Sequence, residues 1–303
     1  MRDHHLFVRA APLLFVMLWS TGFIAAKYSM GNADPFVFLC LRFSITALVL
    51  FFIVWVTKAG IPRRLLDYRH DMVTGFLLHC CYLGFLFWPI KAGVPSGIVA
   101  IIIGIQPILT TALATLYIGE SLNWRKASGL LVGFIGVAVV ILGKFGLDLN
   151  TNGGLEWFYL GLCLLSLIAI SVGVFYQKKF CDQSHFLTAT MMQYVAASIA
   201  TALFAALFGE SWQIDWTPGF ALALSWQVLG LSIGAVMLLM AIIKLGEASR
   251  VSSMFYLVPP LVVVEAHFLF GETLGWISVI GMLLCVVGVY FVNRPGKPKR
   301  LIS

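Results

Sequence analysis

The chain has 303 residues, of which 60% are hydrophobic and only 11% are charged, and its formal net charge is +7. Its mean hydropathy is +0.96. A soluble domain contains about 45–50% apolar and about 25% charged residues, and so few charges could not cover a water-exposed surface. The composition therefore excludes a soluble globular protein and predicts an integral membrane protein whose main partner is the lipid bilayer.

The basic excess does not indicate nucleic-acid binding. The basic residues lie in short clusters between apolar segments and near the C-terminus, rather than along one face. The six cysteines show no Cys-x-x-Cys spacing and lie mostly in apolar segments. We therefore predict no metal site, no disulfide framework and no cofactor.

Ten segments are apolar and long enough to span a hydrocarbon core about 30 Å thick, which needs about 20 helical residues. The first resembles a signal peptide in position, but it lacks a clear small-x-small cleavage site and contains Trp19, Ser20 and Thr21, so we treat it as a span. The predicted spans are 8–28, 35–57, 72–90, 95–118, 126–143, 156–177, 186–208, 220–243, 251–270 and 273–292.

The distribution of basic residues predicts the orientation. Alternate threading of the ten spans places sixteen basic residues on one side of the bilayer and three, Lys27, Lys91 and Lys144, on the other. Basic residues concentrate in cytoplasmic segments. We therefore expect a multi-pass protein of the cytoplasmic (inner or plasma) membrane with both termini in the cytoplasm, ending in a basic cytoplasmic tail at 293–303.

One apolar segment occurs twice, 152 residues apart. Residues 104–124 and 256–276 share seven of 21 positions: Pro107/Pro259, Leu109/Leu261, Ala114/Ala266, Gly119/Gly271, Glu120/Glu272, Leu122/Leu274 and Trp124/Trp276. Matches at nearly the same offset extend over both halves of the chain. The sequence therefore predicts repeat 1 at 8–143, a linker at 144–155 and repeat 2 at 156–292.

Each repeat has five spans, an odd number, so the second repeat must cross the membrane in the opposite direction. The predicted fold is all-α, with ten transmembrane helices as two inverted five-helix repeats. Many transporters that use alternating access have this architecture, with the binding site near the midplane between the halves.

Two motifs carry a resemblance to a known family. The opening "WSTGFIAAK" at 19–27 and the paired "P…GE.L.W" ends of spans 4 and 9 resemble the drug/metabolite transporter superfamily, EamA type. The Gly-spaced spans 5 and 10 add to this resemblance, which covers essentially the whole chain. It implies a transporter of amino acids, other small metabolites or drugs, usually an exporter.

The repeated prolines predict helix kinks near the middle of spans 4 and 9. Pro107, Pro259 and Pro260 lack an N–H, so each leaves a carbonyl four residues earlier without its helical partner. In lipid such a carbonyl must meet protein or cavity water. The kinks either only shape helix packing or contribute to a central polar cavity together with Gln106, Ser252, Ser253 and Tyr256.

The repeated Gly-Glu pairs predict structural turns. Gly119 and Gly271 permit a sharp chain reversal, and Glu120 and Glu272 could stabilise the N-terminal dipole of the following helix. Spans 5 and 10 carry small-residue faces suited to close packing, either within the chain or across a homodimer.

Apart from the first and last two residues of each span, the charged or histidine residues within the spans are Arg42, His79, Glu265 and His267. Such residues usually face a cavity or a partner. Arg42 and Glu265 lie at matching depths in their predicted spans, so we expect them to be neighbours. They would either form an ion pair or together line the outer half of the pathway for a charged or zwitterionic substrate. We interpret the two histidines as packing or interfacial residues, and Trp19 as a packing or cavity residue.

The leading functional hypothesis is a secondary transporter of small organic solutes such as amino acids, with multidrug efflux by the same fold as the alternative. No Walker A sequence is present, so energy would come from an ion gradient, with Glu265 a candidate proton carrier, or from the substrate gradient. An integral-membrane transferase is disfavoured because the histidines and acids are scattered; the sequence argues less against a channel.

Overall fold

The computed structural model describes residues 2–59, 68–118, 124–145, 153–181, 185–238 and 257–293. Within these ranges the chain consists of helices and short connections, with no strand. The all-helical fold predicted from composition is confirmed. The end of span 8, residues 239–243, and the start of span 9, residues 251–256, lie outside the described residues.

The helices follow the predicted spans closely, except that span 4 is divided into two. They are α1 (Arg2–Ser29), α2 (Pro35–Thr57), α3 (Arg69–Lys91), α4 (Ser96–Gly104), α5 (Gln106–Ile118), α6 (Trp124–Phe145), α7 (Gly153–Phe180), α8 (Phe186–Leu207), α9 (Pro218–Leu238), α10 (Val258–Phe270) and α11 (Trp276–Asn293).

Within the described ranges, six helical segments are long and apolar enough to cross a membrane. They are Pro35–Thr57, Arg69–Lys91, Ser96–Tyr117, Trp157–Phe180, Phe186–Leu207 and Pro218–Leu238. Shorter apolar stretches occur in α1, α6, α10 and α11. Many large apolar side chains on the outside of the bundle are exposed, among them Leu131, Phe134 and Leu283, as expected for a lipid-facing surface.

Pro107, Pro259 and Pro260 lie in the first turns of helices. The helix of span 4 is interrupted at Ile105, so that Pro107 lies in the first turn of α5. Pro259 and Pro260 lie in the first turn of α10, where a missing N–H removes no intrahelical hydrogen bond. The predicted mid-span break is therefore present at Pro107. At Pro259 and Pro260 the described helix shows a start, and the residues before 257 lie outside the described ranges.

Helix α10 ends at Gly271, which adopts a left-handed conformation with φ of +66°. A side chain is strained in this region, whereas glycine is not. The predicted turn glycine therefore has the conformation that a helix C-terminus requires. Its repeat equivalent Gly119, with Glu120, lies outside the described residues.

Two of the helices contain π-helical stretches, which the sequence pattern does not reveal. They run from Phe76 to Cys81 in α3 and from Trp226 to Ala235 in α9. In a π-helix each N–H bonds to the carbonyl five residues earlier, and such stretches are often found at functional sites. The two stretches lie about 150 residues apart and occupy the third predicted span of each repeat.

The helices pack in corresponding pairs. Helix α2 packs along α8, and α6 packs along α11. Helix α3 contacts α7 and α8, while α9 contacts α1 and α2. Helices α4 and α5 contact α7, while α10 contacts α1. Each of these contacts between a helix of the first half and one of the second half therefore has a counterpart with the halves exchanged.

The small-residue faces of α6 and α11 pack on each other within the chain. A Cβ atom added to Gly136 would lie 2.7 Å from the backbone nitrogen of Cys285. One added to Gly281 would lie 2.7 Å from the carbonyl oxygen of Gly136, and one added to Gly288 would lie 2.6 Å from the nitrogen of Gly133. Of the two packing alternatives left open by the sequence, this contact within the chain is the one present.

We expect Gly136→Ala to lower the thermal stability of the purified protein by several degrees, because the added methyl group forces α6 and α11 apart. Overpacking of this kind costs about 1–3 kcal/mol. Gly161→Ala in α7 is the matched control, since nothing lies within 4 Å of its added Cβ. Thermal unfolding in detergent measures both; equal melting temperatures would contradict the close packing of these two helices.

Candidate functional site

A cavity of about 450 Å³ lies in the centre of the bundle. Its walls come from α1, α2, α3, α4, α5, α7, α8 and α9, with Val258 of α10, whereas α6 and α11 do not contribute. Most of the wall is apolar, including Phe23, Leu86, Phe87 and Ile103. Cavities of about 300–1,000 Å³ with mostly apolar walls and a few polar groups are typical of small-molecule sites.

The structure brings several predicted site residues to this cavity. Trp19, Arg42, Gln106 and Pro107 line it. Gln106 also donates a hydrogen bond from Nε2 to Thr110 Oγ1, at 3.0 Å. They come from three helices, α1, α2 and α5, and their positions in the sequence alone do not show that these helices meet at one cavity.

Other predicted site residues lie elsewhere. Glu265, Pro259 and Pro260 are not among the lining residues. Pro259 instead packs at the crossing of α4 and α10, where its Cγ would lie 2.5 Å from a Cβ added to Gly104. Ser252, Ser253 and Tyr256 lie outside the described residues.

Arg42 is the charged group of the cavity wall. Its side chain is only 6% exposed. Its Nη1 donates to Gln227 Oε1 at 2.8 Å, and its Nε and Nη2 donate to Ser232 Oγ at 3.2 and 3.1 Å. Gln227 is itself fixed, because its Nε2 donates to Ser29 Oγ at 3.1 Å. Neutral groups on α9 therefore hold the guanidinium in place.

The π-helical stretch of α9 makes this arrangement possible. Gln227 and Ser232 are five residues apart, which in an α-helix would separate them by about 140° around the axis. In a π-helix, hydrogen bonds join residues five apart, so such residues lie nearly above one another. Both side chains can then reach the same guanidinium.

The predicted ion pair between Arg42 and Glu265 is wrong. Among the described residues the ion pairs are Lys27–Glu272 and Lys91–Asp34. Arg42 is turned towards α9, while Glu265 Oε1 accepts a hydrogen bond from Ser20 Oγ on α1, at 2.8 Å. The two residues lie at similar distances from the predicted ends of their spans, but that distance does not determine which way a side chain points around its helix.

His79 belongs to the cavity, although we interpreted it from the sequence as a packing residue. It lines the cavity, and its ring stacks on Tyr194 with centroids 4.4 Å apart. Its Nε2 is buried and has no hydrogen-bond partner in the part of the chain that the structure describes. His267 contacts the backbone oxygen of Glu272 at 3.0 Å and is exposed, which agrees with an interfacial role.

Four buried polar residues near Arg42 and His79 are not indicated by the sequence motifs. Gln193, Tyr194, Gln227 and Ser232 are all buried, and the first two line the cavity. Gln193 had a detectable signal, because it is the repeat equivalent of Arg42. Equivalent positions in the two halves thus face the same cavity, one with a cation and the other with an amide.

Glu272 joins three helices at one end of the bundle, which we call the ion-paired end. Its carboxylate pairs with Lys27 at 2.5 Å and accepts from the backbone nitrogens of Ser96, at 3.2 Å, and Gly97, at 3.4 Å. It therefore stabilises the N-terminus of α4, whereas we had expected it to stabilise the following helix, α11. The end of α10 is close enough to α1 and α4 to make this contact.

A second contact joins α1 and α10 below the ion pair. Ser20 and Lys27 are seven residues apart on α1, and their partners Glu265 and Glu272 are also seven residues apart. Lys27 Nζ additionally lies over the ring of Phe270, 4.3 Å from its centroid. The two segments are therefore held together at two levels, about two helical turns apart.

The ion pair between Lys91 and Asp34 lies at the same end, but it joins the end of α3 to the start of α2. Asp34 Oδ2 also accepts from the backbone nitrogen of Ser211 at 2.8 Å. Partial burial acts to raise the pKa of Asp34, but the hydrogen bonds from Lys91 and Ser211 outweigh it and lower the pKa below its usual value. The carboxylate therefore remains ionised at neutral pH.

Comparison with known proteins identifies the family. The sequence model of the EamA-like transporter family matches residues 10–142 and, a second time, residues 157–294. The chain belongs to the EamA-like transporter family. The resemblance that we drew from the motifs is confirmed, and this EamA-family protein is a multi-pass membrane protein whose family implies a small-molecule substrate.

Similar proteins support this assignment. The EamA-family chain is 27% identical to the "Uncharacterized transporter YvbV" of Bacillus subtilis (strain 168), over 96% of its own length and 94% of that protein. It is 26% identical to the "Probable amino-acid metabolite efflux pump" of Salmonella typhimurium (strain LT2), with 92% of each chain covered. A solved crystal structure has the same fold, with a TM-score of 0.62, 17% identity and coverage of 94% of this chain and 96% of that one.

Proposed function

We propose that this EamA-family protein is a secondary transporter that exports small organic solutes, such as amino acids or related metabolites, across the cytoplasmic membrane by alternating access. The observation that carries the proposal is the central cavity, whose walls come from helices of both family-matched stretches. A cavity between two such halves can be opened to either side when the halves tilt relative to each other.

The proposed architecture is ten transmembrane helices arranged as two inverted five-helix repeats, 8–143 and 156–292, joined by a linker at 144–155 and followed by a basic tail at 293–303. The exchanged helix contacts support this arrangement, because α3 packs on α7 as α9 packs on α1. The π-helical stretches in α3 and α9 support it as well.

The proposed orientation has both termini in the cytoplasm and the ion-paired end outside. The connections 30–34, 92–95, 208–217 and 271–275 meet at that end, as the contacts Asp34–Lys91, Asp34–Ser211, Asn32–Asp215 and Lys27–Glu272 indicate. At the other end, Thr188 Oγ1 donates to the carbonyl of Ala59 at 3.2 Å. The distribution of basic residues then favours the ion-paired end as the outer one.

The substrate class rests on the cavity and on a relative. The similar protein of Salmonella typhimurium is named for amino-acid metabolite efflux, and the cavity has the size of a small-molecule site. Its largely apolar wall also favours the second candidate function, multidrug efflux by the same fold. A transport panel that contains both amino acids and lipophilic drugs distinguishes the two.

Release to the outside requires the ion-paired end to open. Lys27 belongs to the first half of the chain and Glu272 to the second, so a relative movement of the halves must separate them. Glu272 also holds the N-terminus of α4 through Ser96 and Gly97. We therefore propose that the Lys27–Glu272 contact closes the outer side of the pathway in this conformation.

Filling the cavity should abolish transport. Val174 lines the cavity and is partly exposed to it, so Val174→Trp places an indole ring in the substrate path. Val287→Trp is the matched control, because Val287 is 43% exposed on α11, outside the cavity wall. We expect proteoliposomes with Val174→Trp to exchange labelled amino acids at background rate and those with Val287→Trp to match wild type. Equal rates for the two variants would refute the cavity as the pathway.

Cross-linking tests the proposed outer closure. In a cysteine-free background, the pair Lys27→Cys and Glu272→Cys joined by a short thiol cross-linker should stop transport, and reduction should restore it. The control pair Lys91→Cys and Asp34→Cys joins two residues within the first half and should leave transport nearly unchanged. Continued transport by the cross-linked Lys27 and Glu272 pair would show that this contact does not open during the cycle.

Glu265 is the proposed proton carrier. One carboxylate oxygen accepts from Ser20 on α1, and the other is buried without a hydrogen-bond partner among the described residues. Protonation would weaken the hold between α10 and α1 that closes the outer end. We expect transport by the Glu265→Gln variant to lose its dependence on a pH gradient. The matched control is Glu210→Gln, which changes a buried carboxylate that accepts a hydrogen bond from the backbone nitrogen of Val37 in α2; this variant should retain the dependence. Gradient dependence in the Glu265 variant would exclude this role.

A further inference from the structure

Arg42 is a buried cation that keeps donors available for a ligand. A guanidinium has five N–H donors, and the hydrogen bonds to Gln227 and Ser232 use three of them. Among the described residues, one N–H on each terminal nitrogen has no further partner. In the part of the chain that the structure describes, no Asp or Glu lies within ion-pair distance of Arg42. Because an uncompensated buried charge is costly, an anionic ligand would be bound strongly here.

His79 supplies a second donor beside Arg42. The ring of Phe43 lies 5.7 Å from the Arg42 guanidinium and 5.6 Å from the His79 ring, so the two polar groups flank one aromatic side chain. Both Arg42 and His79 line the cavity. In the tautomer with hydrogen on Nε2, this buried nitrogen of His79, which has no hydrogen-bond partner among the described residues, can donate to an oxygen of a ligand.

The rest of the described wall offers no carboxylate to a cation. Among the described lining residues there is no Asp or Glu, and the polar ones besides Arg42 and His79 are neutral. These are Trp19, Tyr82, Gln106, Gln177, Thr190, Gln193 and Tyr194. The ammonium group of a ligand would therefore lack a carboxylate partner within the described wall, while its apolar part would meet a suitable surface.

We propose that Arg42 and His79 form a carboxylate-binding subsite, which makes hydrophobic monocarboxylate anions the preferred substrates of this cavity. The proposal rests on the proposed transport function and deepens it. The two free N–H groups of Arg42 bind the carboxylate, His79 Nε2 donates to one of its oxygens, and the apolar wall takes the hydrocarbon body. The α-amino group of an amino acid is then tolerated and is not the feature that the site selects.

Gln227 and Ser232 are positioning residues in this proposal. They act on the substrate only through Arg42, because they fix three of its five donors. If they are removed, the guanidinium remains charged but loses its fixed direction. Gln227→Leu and Ser232→Ala should therefore weaken the binding of an anion more than the binding of an uncharged analogue, which a general loss of packing would not do.

The test is a series of probes with one hydrocarbon body and different charges: hydrocinnamate, its neutral amide, phenylpropylamine and phenylalanine. Equilibrium binding to the purified wild-type protein is measured first, followed by exchange in proteoliposomes. We expect hydrocinnamate to bind about tenfold or more tightly than its amide or the amine, because hydrogen bonds to charged groups are the stronger ones. The affinity for phenylalanine should lie between that for hydrocinnamate and those for the amide and the amine.

The variants assign the preference to the named residues. Arg42→Gln should remove the preference for the acid over the amide, Arg42→Lys should keep part of it, and His79→Phe, which retains a ring beside Tyr194, should weaken hydrocinnamate binding severalfold. Because the wild-type series and Arg42→Lys are independent of whether Arg42→Gln folds, the proposal remains testable if that variant is unstable.

The outcomes separate this proposal from the proposed function. Equal binding of acid and amide by the wild type, or an unchanged preference in Arg42→Gln, overturns the carboxylate subsite. Preferential exchange of phenylpropylamine also overturns it while leaving transport intact. Binding of hydrocinnamate without exchange of any probe or amino acid supports the subsite and overturns the transport function.

Discussion

Burial of a guanidinium in an apolar bundle is the interaction on which the cavity depends. A charge in such surroundings must receive from protein groups the hydrogen bonds that water would supply. Gln227 and Ser232 meet this need for Arg42, and Ser29 in turn fixes Gln227. Helices α1, α2 and α9, which come from both halves of the chain, are therefore linked through one side chain in the cavity wall.

The features that could be predicted from the sequence are those that depend on composition and on the internal repeat. Apolar length located the helices, because lipid admits only segments that satisfy their own backbone hydrogen bonds. The duplicated proline and glycine-glutamate motifs led to the family, and Gly271 has the left-handed conformation expected of it. Arg42, Trp19 and Gln106, which the sequence offered as pathway candidates, line the cavity, since polar groups in apolar helices usually face an interior.

The features that the sequence did not reveal depend on rotation around helix axes. Arg42 and Glu265 lie at similar distances from the predicted ends of their spans, yet they are turned towards different helices, which that distance could not show. Glu272 contacts the start of α4 rather than α11, because tertiary proximity, and not chain order, determines its partner. The π-helical stretch of α9 places Gln227 and Ser232 on the same side of the helix. The hydrophobic periodicity of the sequence does not reveal such a stretch.

The π-helical stretches in α3 and α9 also have a mechanical consequence. If a helical turn loses or gains one residue, the rest of the helix rotates about its own axis by about 100°, while its length changes by only about 1.5 Å. Such a change would swing side chains such as His79 or Ser232 sideways without pulling the helix out of the bilayer. Each half of the molecule thus contains a point at which rotation, rather than translation, can reshape the cavity wall.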